Sequence, residues 1–307
     1  MGNTVLSTSR PDVYRSITEK IAKAIEVGAT RYQMPCHQSG PLLGRPQNAL
    51  SSKPYRGINV LALWVAAQSR GFATARWATY RQWATLGAQV RKGEKGSVIV
   101  FYKKAETIPH GDASEEEEPK TRLVARASWV FNAGQVEGWE LPEALAPSNP
   151  VSVLDRAEAF VSATGADIHE GGGVACYRPH ADYIQMPPRA AFIGSSTSTP
   201  TESYYATLLH ELTHWTGHER RLSRDFSRRF GDEAYAMEEL VAELGAAFLC
   251  ADLGVTNSPR PDHAAYAGSW LRVLENDARA IFTASGKAGA AAEYLANFGA
   301  ERNGPTP

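Results

Sequence analysis

Apolar residues recur at helical spacing from the start of the chain. Val13, Ile17, Ile21 and Ile25 lie four apart and predict a helix from a cap at Asp12 to about Gly28. Residues 28–56 break that period with Pro35, Gly40, Pro41, Gly44, Pro46 and Pro54 and read as loop-rich. INVLALWVAAQSRG then predicts a second helix closed by Gly71. The polar-aromatic run RWATYRQWATLGAQVRKGEKG predicts a short helix at its start. SVIVFYKK at 97–104 and RLVARASWVFNAGQV at 122–136 are β-branched and aromatic and predict strands. Between them, GDASEEEEPK, with Glu115 to Glu118, predicts a solvated loop.

Three prolines in EGWELPEALAPSNP, residues 137–150, predict a linker. A helix is expected over 151–164. ACYRPHADYIQMPP predicts two short strands around a turn at His180–Asp182. Ser198, Thr199 or Thr201 is placed to cap the next helix, with Pro200 in its first turn. That helix carries Leu208, Leu212 and Trp215 on one face, and Gly217 is a candidate C-cap. YAMEELVAELGAAFLCADLG predicts another, striped by Leu240, Leu244 and Phe248. Further helices are expected at about 259–284 and 288–298. The expected architecture is α+β in two domains, 1–136 and 151–307.

The 307 residues, 43 % of them hydrophobic, suffice for two cores of ordinary size. Cys36, Cys176 and Cys250 are sparse, odd in number and far apart, which points to a reducing, cytoplasmic setting without a disulfide framework. No apolar run reaches membrane-spanning length, and MGNTVLSTSRPDVY lacks a secretory core, so no membrane partner is expected. The net charge of −1 conceals a division. Residues 1–110 hold 16 of the 32 Lys and Arg but 5 of the 33 Asp and Glu, so the front is basic and the rest acidic. A basic front suits a polyanion.

Candidate chemistry concentrates in His210-Glu211-Leu212-Thr213-His214. Two histidines four apart on a helix stack on one face and can hold one metal ion, and Glu211 can take a proton from water on that ion. An open catalytic site needs a third ligand. The position where a third motif histidine would fall is Arg220, which stays charged and cannot ligate, and His218 is out of register by two. Glu239 is the preferred third ligand and Glu243 the next choice. Glu243, one turn on, can accept a hydrogen bond from a ligating histidine. Glu238, about 100° around the helix from Glu239, is less favoured. Zn²⁺ is the expected ion, with Mn²⁺ or Co²⁺ as alternatives. Tyr204, Tyr205, Tyr235 and His218 are candidates for steadying an oxyanion.

Aromatic residues interleave with cations over 45–104. Tyr55, Arg56, Arg76, Trp77, Arg81, Trp83, Lys92 and Lys95 are candidate contacts to single-stranded DNA, in which cations track phosphates and rings receive bases. Trp64 and Phe72 read as core, whereas polar neighbours favour exposure of Trp77 and Trp83. Duplex DNA stays open as an alternative.

PQNALSSKPYRGINVLAL, ARWATYRQWATLGAQVRKGEKGSVIVFYK, ACYRPHADYIQMPPRAAF, HELTHWTGHERRL and EELVAELGAAFLC together resemble plasmid antirestriction proteins of the ArdC type over about residues 10–300. The resemblance implies an N-terminal single-stranded-DNA-binding domain and a C-terminal zincin-like metallopeptidase domain. It implies protection of incoming plasmid DNA during conjugation. The metal motif then falls on His210, Glu211 and His214, and the downstream glutamate motif on the Glu239 helix. The DNA module covers Asn48, Tyr55, Gly57, Asn59, Trp77, Thr79, Gln82, Gly87 and Lys92 to Gly96. The strand at Tyr183–Met186 would be the edge along which a peptide or host-protein substrate aligns.

Overall fold

In the computed structural model, residues 13–29, 44–107, 120–140, 150–194, 198–224, 233–255, 270–271 and 273–302 are described. Asp12, the Glu115–Glu118 run and most of the expected linker lie outside them. Helix α1 (Val13–Ala29) buries Ile17, Ile21 and Ile25, the stripe its spacing demands. Helix α2 (Ile58–Arg70) ends at Gly71, whose φ of 67° is the left-handed cap a glycine reaches most easily.

A four-stranded sheet follows, with β1 (Gln47–Asn48), β2 (Arg76–Ala78), β4 (Ser97–Thr107) and β5 (Lys120–Asn132) in the order β1-β2-β5-β4. Ser97 pairs with Val130 and Thr107 with Lys120, so β4 and β5 form one long antiparallel hairpin. Short α3 (Tyr80–Thr85) is opened by a capping box between Thr79 and Gln82. A second small sheet joins β3 (Gln89–Val90) to β6 (Val136–Glu137). Glu137 is therefore sheet rather than linker, and Trp139 packs its ring 5.3 Å from that of Trp83.

The C-terminal part starts with α4 (Pro150–Thr164) and a three-stranded sheet of β7 (Asp167–Glu170), β8 (Cys176–Arg178) and β9 (Tyr183–Met186). The order is β7-β9-β8, with β7 parallel to β9 and β8 antiparallel to it. The sequence pattern missed β7, and β9 is the central strand. The edge expected at Tyr183–Met186 belongs instead to β7 and β8, because β9 is paired on both sides. Helices α5 (Pro200–Trp215), α6 (Glu233–Leu253) and α7 (Ala280–Arg302) complete the fold. The break expected between two helices near 284–288 falls instead at 277–279, between helical residues 273–276 and the start of α7, while 256–269 lie outside the described residues. Among the described residues no helix is long and apolar enough to cross a membrane.

One hydrophobic cluster runs through both parts. Ile17, Ile21, Ile58, Leu61 and Trp64 share it with Leu208, Leu212, Phe248, Ile281 and Leu295. Polar links cross the same boundary. Thr18 Oγ1 donates to the Ala278 carbonyl at 2.6 Å, Arg45 meets Asp252 at 2.8 Å, and Arg56 meets Glu293 at 3.0 Å.

Candidate metal centre and nucleic-acid surface

Thr199 is the residue that caps α5: its side chain accepts from the Glu202 N–H while Glu202 reaches back to the Thr199 N–H. Pro200 occupies the first turn, where its missing N–H costs nothing. The helix stops at Trp215 with Thr216 as its C-cap, not Gly217. Every residue from Tyr204 to Trp215 is buried. The helix is thus enclosed on all sides, not one-sided as the spacing suggested, and its polar groups need partners inside the protein.

Those partners come mainly from α6. The two helices approach closely because Gly245 has no side chain: a Cβ there would lie 2.4 Å from Thr213 Cγ2. His210 Nδ1 sits 3.0 Å from Glu243 Oε1, and His214 Nδ1 sits 3.1 Å from Glu238 Oε1. With both Nδ1 atoms facing carboxylates, the protons belong on Nδ1 and the Nε2 lone pairs converge. The two Nε2 atoms are 3.1 Å apart. Glu239 brings Oε2 to 3.6 Å from His210 Nε2 and Oε1 to 3.5 Å from His214 Nε2. One ligand atom from each of these three residues lies within 4.8 Å of the others.

That donor set fits a divalent cation. Two imidazole nitrogens on one tetrahedral ion, with bonds of ~2.0–2.1 Å, stand about 3.3 Å apart, close to the spacing seen. Facing lone pairs repel unless a cation or a proton lies between them. Burial works against ionised Glu239, yet the His210 hydrogen bond and the attraction of the two neighbouring histidines outweigh it and lower its pKa. Burial likewise opposes ionised Glu238, and the hydrogen bonds from His214 and Arg224 prevail and lower its pKa.

Glu238, the least favoured ligand, indeed stays out of the donor set, but it takes a bracing role that the sequence did not suggest. A step of 100° from Glu239 carries it off the ligand line but onto the outer nitrogen of His214. Arg224 then holds it, with Nε 3.0 Å from Oε2 and Nη2 2.9 Å from Oε1, and also donates to the Thr213 carbonyl. No sequence period links Arg224 to the site, since it follows the motif helix in an irregular stretch. Glu211 accepts from the backbone N–H of Tyr177 on β8 at 2.8 Å. The Tyr177 hydroxyl donates to Asp182, and Arg221 grips Asp182 while stacking on Trp215 at 3.8 Å. Tyr204 and Tyr205 are engaged by Arg189, whose guanidinium lies 4.7 and 5.5 Å from their rings. His218 Nδ1 accepts from the Arg220 N–H.

The expected DNA contacts separate into two groups. Trp77 and Trp83 are 0 % exposed, against the expectation of surface rings. Their polar neighbours sit at turns and caps, while the indoles themselves fill the sheet's two faces. Trp77 joins Leu63, Ala67 and Val130, and Trp83 joins Ala78, Val90 and Val136. Asn59 is spent on the fold: its amide bonds the Val100 carbonyl at 2.7 Å and its oxygen accepts the Val100 N–H at 2.8 Å, closing the open edge of β4. Tyr55 is half-buried and linked to Asn48, and Arg56 is paired with Glu293. Arg81, Lys92 and Lys95 are exposed, and Arg76 half so. Exposed rings occur instead at Tyr80, Phe101 and Tyr102, which lie in the same interleaved stretch, and at Trp129 beyond it.

Comparison with known proteins reaches both parts of the chain. Residues 11–131 match the family described as the N-terminal domain of anti-restriction factor ArdC. Residues 155–287 match the zincin-like metallopeptidase family. The crystal structure of the antirestriction ArdC protein from plasmid R388 is similar at 40 % identity, with a TM-score of 0.76 over 94 % of this chain and 98 % of that one. Its Mn(II)-bound form gives 0.74 over 96 % and 100 %. A Sinorhizobium fredii protein, uncharacterized protein y4eC, is 47 % identical over 92 % of this chain and 91 % of its own. Escherichia coli DNA primase TraC is 36 % identical over 92 % of this chain, which spans 20 % of the primase.

Proposed function

Since the chain belongs to the ArdC antirestriction family, we propose that it shields incoming plasmid DNA from host restriction during conjugation, binding single-stranded DNA with its basic front and cleaving a peptide bond at a metal site. The observation that carries the hydrolytic half is the convergence of His210 Nε2, His214 Nε2 and Glu239 within 4.8 Å, each imidazole braced from behind by a carboxylate. These three residues would hold one divalent ion, and a relative crystallised with Mn(II) supports that reading. When bound, such an ion polarises a carbonyl and makes a water acidic.

The remaining work falls to the chain. Glu211 takes the proton of the attacking water and delivers it to the leaving nitrogen. The Tyr177 N–H fixes the Glu211 carboxylate in place. A peptide would lie along β8, the free edge beside Glu211, in place of β9. Glu238 and Glu243 hold the imidazoles in the tautomer that presents Nε2. The nucleic-acid half is supported by the basic front, by the match of that half to the ArdC N-terminal family, and by the occurrence of a similar chain within longer proteins named DNA primase TraC.

Glu211→Gln tests the whole. Metal content measured by elemental analysis is expected to stay at the wild-type level. Plasmid transfer into a restricting recipient is expected to fall to that of cells lacking the protein, because losing a general base costs about 10²–10⁴-fold in rate. Full protection by a metal-loaded Glu211→Gln protein would leave the ion as a clamp between α5 and α6, and the protein as a non-enzymatic DNA-binding protector. A comparison of intact host-protein masses between the two strains identifies a cleaved target.

A further inference from the structure

A single exposed ring is ordinary, but exposed rings gathered into one patch mark a place of contact. On this surface, three lie together. Trp129 and Phe131 are two apart on β5, so they project from the same face of the strand. Trp129 is 57 % exposed, and Phe131 is half-buried. Tyr80, 50 % exposed at the start of α3, sets its ring edge-on to Phe131, with centroids 6.5 Å apart. Gly96 forms the floor. A Cβ there would lie 3.0 Å from Trp129 Cβ and 3.3 Å from Phe131 Cζ, so a side chain in place of glycine would crowd both residues. From below, Trp83 Nε1 donates to the Phe131 carbonyl at 3.0 Å and pins the strand. Phe101 is not part of the group, since it pairs with Arg126 on the opposite face.

Cations flank the rings on both sides in sequence. Arg81 follows Tyr80, and Lys92 and Lys95 precede Gly96, all three exposed and without an ion pair among the described residues. The neighbouring acid, Glu94, is already taken by Arg91 at 2.9 Å and by Gln135 at 2.8 Å. Rings backed by rigid sheet, beside uncommitted cations, match unpaired nucleotides: bases stack on the rings and phosphates meet the cations. A duplex keeps its base faces covered and cannot use the rings.

We propose that Tyr80, Phe131 and Trp129, floored by Gly96, are the platform on which unpaired bases stack, with Arg81, Lys92 and Lys95 holding the phosphates. This rests on the single-stranded-DNA reading above and assigns its surface to rings other than the two tryptophans that the sequence suggested.

The experiment is fluorescence anisotropy of the full chain with a labelled ~20-nucleotide oligothymidylate, repeated across salt concentrations. Trp129→Ala is expected to raise Kd about five-fold or more with an unchanged salt slope, while Trp129→Phe recovers most of the affinity. Lys95→Ala is expected to flatten the slope by about one phosphate contact. Thermal melting and metal content report whether the variants stay folded, which an exposed ring allows. Wild-type affinity in Trp129→Ala overturns the platform and leaves the DNA reading standing. A wild-type protein that ignores the oligonucleotide overturns both. Equal affinity for duplex and single strand also overturns the platform.

Discussion

Glu238 and Glu239 are adjacent in sequence, and the turn of α6 sends them to different atoms. Glu238 lies 3.1 Å from the outer nitrogen of His214, and Glu239 lies 3.5 and 3.6 Å from the two inner nitrogens. The first braces and the second is placed to ligate. Glu238→Gln keeps size but weakens the acceptor, so metal affinity in a competitive chelator titration is expected to fall about 10–100-fold. Glu239→Gln is expected to lose stoichiometric metal. Equal behaviour of the two variants would show that the division of labour is wrong. The convergence of His210, His214 and Glu239 was legible because i,i+4 histidines and a later acidic helix obey simple periods. Glu238 was not, because its partner Arg224 comes from irregular chain. Trp77 and Trp83 misled for a related reason: polar neighbours in a short β-turn-α segment report the turns, not the direction of the rings.

At the level of elements, the centre depends on how near α5 and α6 can come. Gly245 lies inside a helix, where glycine costs about 1 kcal/mol against alanine, and its contact with Thr213 supplies the reason. Gly245→Ala should therefore destabilise despite the better helix former. The extra methyl has to displace Thr213 or part the helices, a cost of about 1–3 kcal/mol, and it should loosen metal as well. A denaturant melt showing a gain in stability would mean that the helices have room to spare. The elements themselves were largely readable: α1, α2, α4, α5, α6 and the β4–β5 hairpin follow from period and caps. The misplaced edge strand was not. β7 is four residues long with mostly exposed side chains, Asp167, Ile168, His169 and Glu170, so it left no apolar pattern, and without it β9 looked like a margin. Pairing partners distant in sequence are invisible to a local window.

For the whole molecule, an ion between α5 and α6 would add to the stability of the folded state alone. Stripping it should lower the melting temperature, and restoring it at 100 times its Kd should return about 2.7 kcal/mol. In stripped protein, Glu238 and Glu239 have pKa values below the ordinary carboxylate range. A depressed folded pKa gives stability that is present above the unfolded value of about 4.3 and is lost as pH falls through the folded one. Chelated protein titrated with acid should hold its stability down to that range and then lose it. A loss already complete near neutral pH would contradict the paired carboxylates.

The shared interior has a practical bearing on how the two proposed activities can be told apart. If the chain were severed between its basic front and the part that holds the candidate metal centre, Ile17, Ile21 and Trp64 on one piece, and Phe248 and Ile281 on the other, would face water. Each fragment would carry a sticky scar in place of a surface, and clumping or proteolysis would masquerade as loss of function. Clean separation of the proposed grip from the proposed cut therefore belongs to single side-chain swaps, with the molecule left whole.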